Sequence, residues 1–227
     1  MNIKYATISK AGRRSNNKDA FKVVEVSEDK RFVGIVCDGR GGHVMGEVAS
    51  ETVTDAIADF WQEHTDESDG REKVAKACRK ACKVLDEQSY SMGHVEMGTT
   101  MVMAGIEDNR VTIAHVGDGR CYLQRPGRGL LYQTADHVRI DFGWEIVERC
   151  FFSYRPEVAV PDVVQYELQP GDRLLLCSDG LYKGVEPDIL LSSMMDNRPL
   201  ADILDIYDTL CGKQGDDNYT AILIEVE

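Results

Sequence analysis

The stretch Phe32-Val33-Gly34-Ile35-Val36-Cys37-Asp38-Gly39-Arg40-Gly41-Gly42-His43 runs from an apolar segment into a glycine-rich turn headed by a carboxylate. The short apolar run reads as a buried strand, and the glycines admit backbone paths closed to residues with a Cβ. Residues 44–61 then have helical spacing, with Ala49, Val53, Ala56, Ile57, Phe60 and Trp61 on one stripe. Asp38 is therefore expected at the mouth of a strand-turn-helix. Further carboxylates stand at similar strand ends: Asp19 before Ala20-Phe21-Lys22-Val23-Val24, Asp179 after Arg173-Leu174-Leu175-Leu176-Cys177, and Asp217 before Tyr219-Thr220-Ala221-Ile222. Carboxylates gathered in this way suit hard divalent cations.

Outward from this unit, strands are predicted over residues 3–9, 20–26 and 31–37, the last two joined by a hairpin loop at 27–30. The loop at 65–70 ends the first helix. A second stripe, Val74, Ala77, Ala81, Val84, Leu85 and Gln88, marks another, and the short connection predicts an antiparallel pair. Strands at 99–106, 111–116 and 121–124 read as a meander, and residues 137–161 read as an irregular flap without a clear period. Residues 163–168 and 173–177 flank Gln169-Pro170-Gly171-Asp172 and suggest a hairpin. A late helix carries Leu200, Ile203, Leu204, Tyr207, Leu210 and Cys211, and residues 219–226 form a closing strand. This order implies an α+β fold with two antiparallel sheets covered by helices.

Composition sets the class. A chain of 227 residues, 43% hydrophobic, can hold one domain with a sizeable core, and we expect a single domain over 1–227. With 26 basic against 39 acidic residues the formal charge is −13, which opposes nonspecific binding to nucleic acid or an anionic membrane and attracts cations. No apolar run approaches the ~20 residues needed to span a bilayer, and residues 1–5 lack the core of a signal peptide, so a cytoplasmic protein is expected. The seven cysteines are odd in number and lie in apolar strands or on helical stripes, as buried thiols of a reducing compartment do. Cys78 and Cys82 share a helix face, but without a second nearby pair core packing is the better reading.

Seven short motifs, taken together, resemble those of the metal-dependent PP2C-type (PPM) serine/threonine phosphatases in order and spacing. They are Asn16-Asn17-Lys18-Asp19, Asp38-Gly39-Arg40-Gly41-Gly42-His43, Met97-Gly98-Thr99-Thr100, Gly117-Asp118-Gly119-Arg120, Thr134-Ala135-Asp136-His137, Cys177-Ser178-Asp179-Gly180-Leu181 and Asp217-Asn218-Tyr219-Thr220. Each alone is weak, because Asp-Gly turns are common; their order along the whole chain carries the resemblance. Gly46-Glu47-Val48-Ala49-Ser50 follows the second motif as it does in bacterial members. The resemblance implies a β-sandwich of two antiparallel sheets flanked by helix pairs, a four-layer αββα arrangement, with a two-metal site at one end. It further implies hydrolysis of phosphoserine and phosphothreonine on proteins by water activated between two divalent ions ~3.5–4 Å apart.

By the same resemblance Asp38 bridges the ions, the carbonyl of Gly39 serves the second, and Asp179 and Asp217 hold the first. Asp19 would orient the nucleophile through water of the metal shell, Arg14 would clamp the substrate phosphate, and Asp118 with Asp179 would hold a third ion. An all-oxygen set favours Mn²⁺ or Mg²⁺ over Zn²⁺. The expected partners are phosphorylated proteins, targets of a serine/threonine kinase, met by a monomer.

Departures from the pattern also matter. The glutamate that usually precedes the first motif's aspartate is replaced by Lys18, which would weaken the second metal site and raises the alternative of a pseudophosphatase or phosphoprotein-binding module. Arg40 stands where animal relatives carry a histidine proposed as general acid, and the segment from His137 to Asp179 is shorter than usual. His43 and His137 read as loop supports, and Thr99 and Thr100 as strand packing beside the site.

Overall fold

The computed structural model describes residues 2–26, 31–40, 45–64 and 69–227. The expected hairpin loop at 27–30, the turn residues Gly41, Gly42 and His43, and most of the 65–70 loop lie outside the described residues. Two five-stranded antiparallel sheets make up the centre. The first has the order β1 (Ile3–Lys10), β14 (Tyr219–Val226), β13 (Arg173–Cys177), β7 (Arg120–Arg125) and β8 (Gly129–Gln133). The second has the order β12 (Asp162–Glu167), β6 (Arg110–Val116), β5 (Met101–Glu107), β3 (Arg31–Asp38) and β2 (Asp19–Val26).

The apolar runs are unbroken because these strands are buried on both faces. Along β3, Val33, Ile35 and Cys37 pack beneath α1 (Gly46–Glu63) and α2 (Gly70–Ser91), while Phe32 and Val36 meet the other sheet. Along β13, Leu174 and Leu176 fill the space between the sheets. Leu175 and Cys177 pack under α3 (Asp179–Gly184), α4 (Pro187–Met194) and α5 (Leu200–Gln214). The layers are thus helix, sheet, sheet, helix, as the α+β expectation had them. The stripes expected of α1, α2 and α5 are the buried faces, except that Val84, Gln88 and Leu210 are only partly covered. No described helix is long and apolar enough to cross a membrane.

Four local expectations are corrected. Strands 111–116 and 121–124 do not form a meander: β6 pairs with β5 and β12, whereas β7 pairs with β13 and β8, so residues 117–119 carry the chain between sheets. Residues 163–168 and 173–177 likewise fall in different sheets, β12 on β6 and β13 on β14. Their turn is held by the buried Asp172, which accepts from Gln169 N at 2.8 Å and takes a two-pronged contact from Arg125. Turn chemistry alone does not say in which sheet the next strand pairs.

The expected strand at 99–106 breaks at Thr100, leaving β4 (Gly98–Thr99) and β5, and the supposed flap contains regular structure. There β9 (Val138–Asp141) and β10 (Trp144–Val147) form a hairpin, β11 (Phe151–Phe152) pairs with β4, and Pro156–Val158 is a 3-10 turn. At the hairpin tip Ile140, Phe142 and Trp144 stand exposed, which hides the strand period in the sequence. The short elements β8, α3 and α4 also went unpredicted.

Helix α1 lies tightly on its sheet. An added Cβ at Gly105 would come within 2.2 Å of the Trp61 ring, and the Lys73 ammonium, fully buried, sits 4.2 Å from that ring's centre and 2.5 Å from Glu107 Oε1. Overpacking here has little room to relax. Gly105→Ala should lower the free energy of unfolding in urea by about 2 kcal/mol; an unchanged midpoint would show that Trp61 moves freely on the sheet.

Candidate metal centre

The register of the sheets assembles the site. On adjacent antiparallel strands, Asp19 at the start of β2 lies directly opposite Asp38 at the end of β3. In the other sheet Asp179 follows β13 and Asp217 precedes β14, and those strands are paired at Cys177 and Ala221. Asp118 sits in the turn that crosses between the sheets. The five carboxylates gather at one end of the seam. Asp38, Asp118, Asp179 and Asp217 line a cleft of about 420 Å³, with Asp19 buried behind.

Like charges directly opposite each other disfavour a strand pair, and at Asp38 the charge of Asp19 adds to the effect of burial. Burial, opposed by a hydrogen bond from Ser178 and reinforced by Asp179 and Asp217, pushes the Asp19 carboxyl up to about 7. Burial first, then the charge of Asp179, pushes Asp118 up to about 6. Asp38 is raised well above the usual carboxylate range by burial and by Asp19, Asp179 and Asp118 together.

Neutral side chains and main chain hold this arrangement. Asp38 N donates to Thr100 Oγ1 at 3.2 Å, and Asp38 O accepts from Thr100 N and Thr99 Oγ1, so the two threonines fix the Asp38 backbone. Gly39 N donates to Lys18 O at 3.0 Å, and an added Cβ at Gly39 would stand 2.1 Å from Gly46 O, so only glycine fits. Ser178 Oγ donates to Asp19 Oδ2 at 2.7 Å and accepts from Thr220 N. Asn218 accepts from Lys18 N and donates to the carbonyls of Ala11 and Asn16, each at 2.9 Å.

Around the carboxylates lies a ring of cations. Arg14 Nε is 3.2 Å from Asp217 Oδ1 at the cleft rim. Arg13 turns away, to Asp216 and the carbonyl of Lys213. Lys18 and Arg40 line the cleft, and Arg40 Nη1 donates to Cys150 Sγ at 3.4 Å. Among the described residues the Lys18 ammonium has no ion-pair partner. Lys183 pairs with Asp179 and with Glu145 of β10.

Every site residue expected from the sequence thus reaches one place, while Lys183, Glu145, Ser178 and Asn218 had been given no role. The last two sit inside quoted motifs. Lys183 follows Asp179 by one helical turn, a spacing that signals a pair only once α3 is known to be a helix.

Oxygen donors fit hard divalent ions. The structure adds that, among the described residues, Asp19 Oδ1 and Asp179 Oδ1 are buried without a hydrogen-bond partner, a state that an ion or its water would relieve. A second cluster, His115, His137 and Asp162, fits less well. His137 Nδ1 accepts from Gly117 N, which leaves its Nε2 to donate to Asp162, and Arg149 already supplies that carboxylate with a cation at 2.8 Å. His137 supports the crossing turn, as expected.

A helix-covered double sheet with carboxylates converging from both sheets defines a class of divalent-cation-dependent domain. The family model for protein phosphatase 2C matches residues 9–217, and the chain belongs to that family. It is 30% identical over 235 residues to the serine/threonine phosphatase stp of Listeria welshimeri, covering 93% of this chain and 91% of that one. Among solved structures, the catalytic domain of the serine/threonine protein phosphatase PstP, in complex with two manganese ions, is 28% identical. It superposes with a TM-score of 0.82 and covers 99% of both chains. The S. agalactiae serine/threonine phosphatase is 28% identical, with a TM-score of 0.84 over 100% of each.

The acidities carry a sign. Carboxyls whose folded pKa lies above the unfolded value bind more protons when native, so metal-free stability falls as pH rises from about 4 through about 7. In a chelator the melting temperature should drop over that range, and Asp38→Asn should flatten the slope. Mn²⁺ at ~100 times its Kd should add about 2.7 kcal/mol to the wild type at neutral pH. Melting curves insensitive to Mn²⁺ would contradict the reading of these carboxylates as an ion site.

Proposed function

We propose that the chain is a single phosphatase domain, spanning 1–227, that hydrolyses phosphoserine and phosphothreonine monoesters on proteins. The observation that carries this reading is the convergence of Asp38, Asp118, Asp179 and Asp217 on one open cleft, with Asp19 buried behind them and Arg14 at the rim. In this proposal Asp38, the Gly39 carbonyl, Asp179 and Asp217 hold two Mn²⁺ or Mg²⁺ ions. When bound, such ions neutralise phosphate oxygens and make water nucleophilic at neutral pH.

The chain's own groups do the rest. Arg14 is half-exposed and already directed to the carboxylate end of the cleft, where its planar fork suits two phosphate oxygens. Asp19, fixed by Ser178 through one oxygen, keeps the other for the attacking water and orients it towards phosphorus. Lys18 and Arg40 add positive potential on the path of a dianionic substrate. The cleft is open, so the departing serine or threonine oxygen takes its proton from water. We place the enzyme in the cytoplasm, as a monomer acting on products of a serine/threonine kinase; the free thiols, six of them buried, suit a reducing compartment.

Hydrolysis of an aryl phosphate tests the reading. Asp38→Ala and Asp179→Ala should each abolish Mn²⁺-dependent turnover. Arg14→Ala should raise KM, Arg14→Lys should recover only part of the loss, and Arg13→Ala should do little, since Arg13 faces α5. Full turnover in either aspartate variant would refute the assignment, and a larger effect at Arg13 would show the wrong arginine chosen.

Lys18 bears on the alternative of a binding module without turnover. Its main chain braces Gly39 and Asn218, while its flexible stem leaves the ammonium free to turn outward. Lys18→Glu should therefore lower the Mn²⁺ concentration for half-maximal activity and alter the saturated rate much less. Activity confined to the glutamate variant would establish the wild type as a binding module instead.

A further inference from the structure

Lys183 lies one turn into α3 from Asp179, and its Nζ is 3.0 Å from Asp179 Oδ2 and 3.2 Å from Glu145 Oε2 on the hairpin strand β10. Lys183 and Asp118 also line the same cleft. The ammonium thus stands among carboxylates from the inter-sheet turn, the start of a helix and the hairpin. A compact charge with three N–H donors matches such a group of oxygens.

Ordinary surface pairing does not account for this placement. The (i, i+4) pairs Lys76–Glu72 and Lys83–Glu87 join side chains at least 37% exposed, whereas the Asp179 side chain is 17% exposed and is shared with the ion site. Asp118 and Asp179 are also the two carboxylates that the family resemblance offers to a third ion. A divalent ion bound there would meet the lysine charge at close range.

We propose that Lys183 is the resident cation of the Asp118–Asp179 position, taking the place of a third ion and limiting the centre to two. This rests on the two-ion reading above. Lys183 leaves Asp179 Oδ1 to the main centre and engages only Oδ2. The charge balance of the cleft is then met partly by the chain itself, so a third ion would need a higher metal concentration to bind. Because Lys183 is half-exposed, its pairing contributes little to folding stability, and its substitution should leave the fold intact. A unit charge ~6 Å from a divalent ion, in largely aqueous surroundings, weakens binding about tenfold.

The test is calorimetric titration of the full chain with Mn²⁺ alone, comparing wild type, Lys183→Gln, Lys183→Arg and Asp38→Ala. Wild type and Lys183→Arg should each take two ions. Lys183→Gln should take a third, or bind its weakest ion about tenfold more tightly. A wild type that binds three ions, or a Lys183→Gln titration that superposes on the wild type, would overturn the proposal. If the wild type bound no Mn²⁺, or bound it no differently from Asp38→Ala, the two-ion reading itself would fail and take this inference with it.

Discussion

Mutual repulsion of carboxylates held closer together than water would leave them governs this structure. Asp19 and Asp38 face each other across a strand pair, and Asp118, Asp179 and Asp217 close round them from the crossing turn and the second sheet. An unfolded chain would separate these charges. The sandwich keeps them together because Asp38 ends β3 and Asp179 follows β13, strands whose apolar residues are locked in the core, so retreat there would require a whole strand to shift register. Folding energy drawn from apolar burial is thereby stored as a preorganised negative potential.

The supports of the site are mostly uncharged. Thr99, Thr100, Ser178 and Asn218 give hydroxyl and amide bonds to the backbone and to one oxygen of Asp19, and none neutralises the cluster. Among the described residues, cations reach it from the rim, on long side chains able to move. Rigid anions on the inside and mobile cations on the outside let the cleft accept both metal ions and a phosphate dianion, which need opposite fields within a few ångströms of each other.

Much of this was legible in the sequence, and the limits of legibility have physical reasons. Fully buried strands such as β3, β5 and β13 announce themselves as apolar runs, and α1, α2 and α5 by their stripes. The carboxylates were recognisable because they occur as an ordered set at strand ends. Pairing between sheets was not, since the turns at 117–119 and 169–172 look the same whether the next strand returns to its own sheet or crosses to the other. The β9–β10 hairpin escaped because its outward residues are aromatic and aliphatic, so no alternation marks it. Lys183 escaped because α3 spans 6 residues, too few for a period to show.

The position of β14 within its sheet bears on the order in which the molecule is made. It is an interior strand, bonded to β1 on one side and β13 on the other, although it follows every other described strand in sequence. Until residues 219–226 leave the ribosome, β1 has no neighbour in its sheet, and Asp217 has not been delivered. The bond from Ser178 to Asp19 joins residues 159 apart and must also wait for most of the chain. The strands of the other sheet, apart from β12, can pair far earlier. Synthesis thus leaves a half-built sandwich whose acidic ligands are still scattered, and the centre is completed only when β14 arrives.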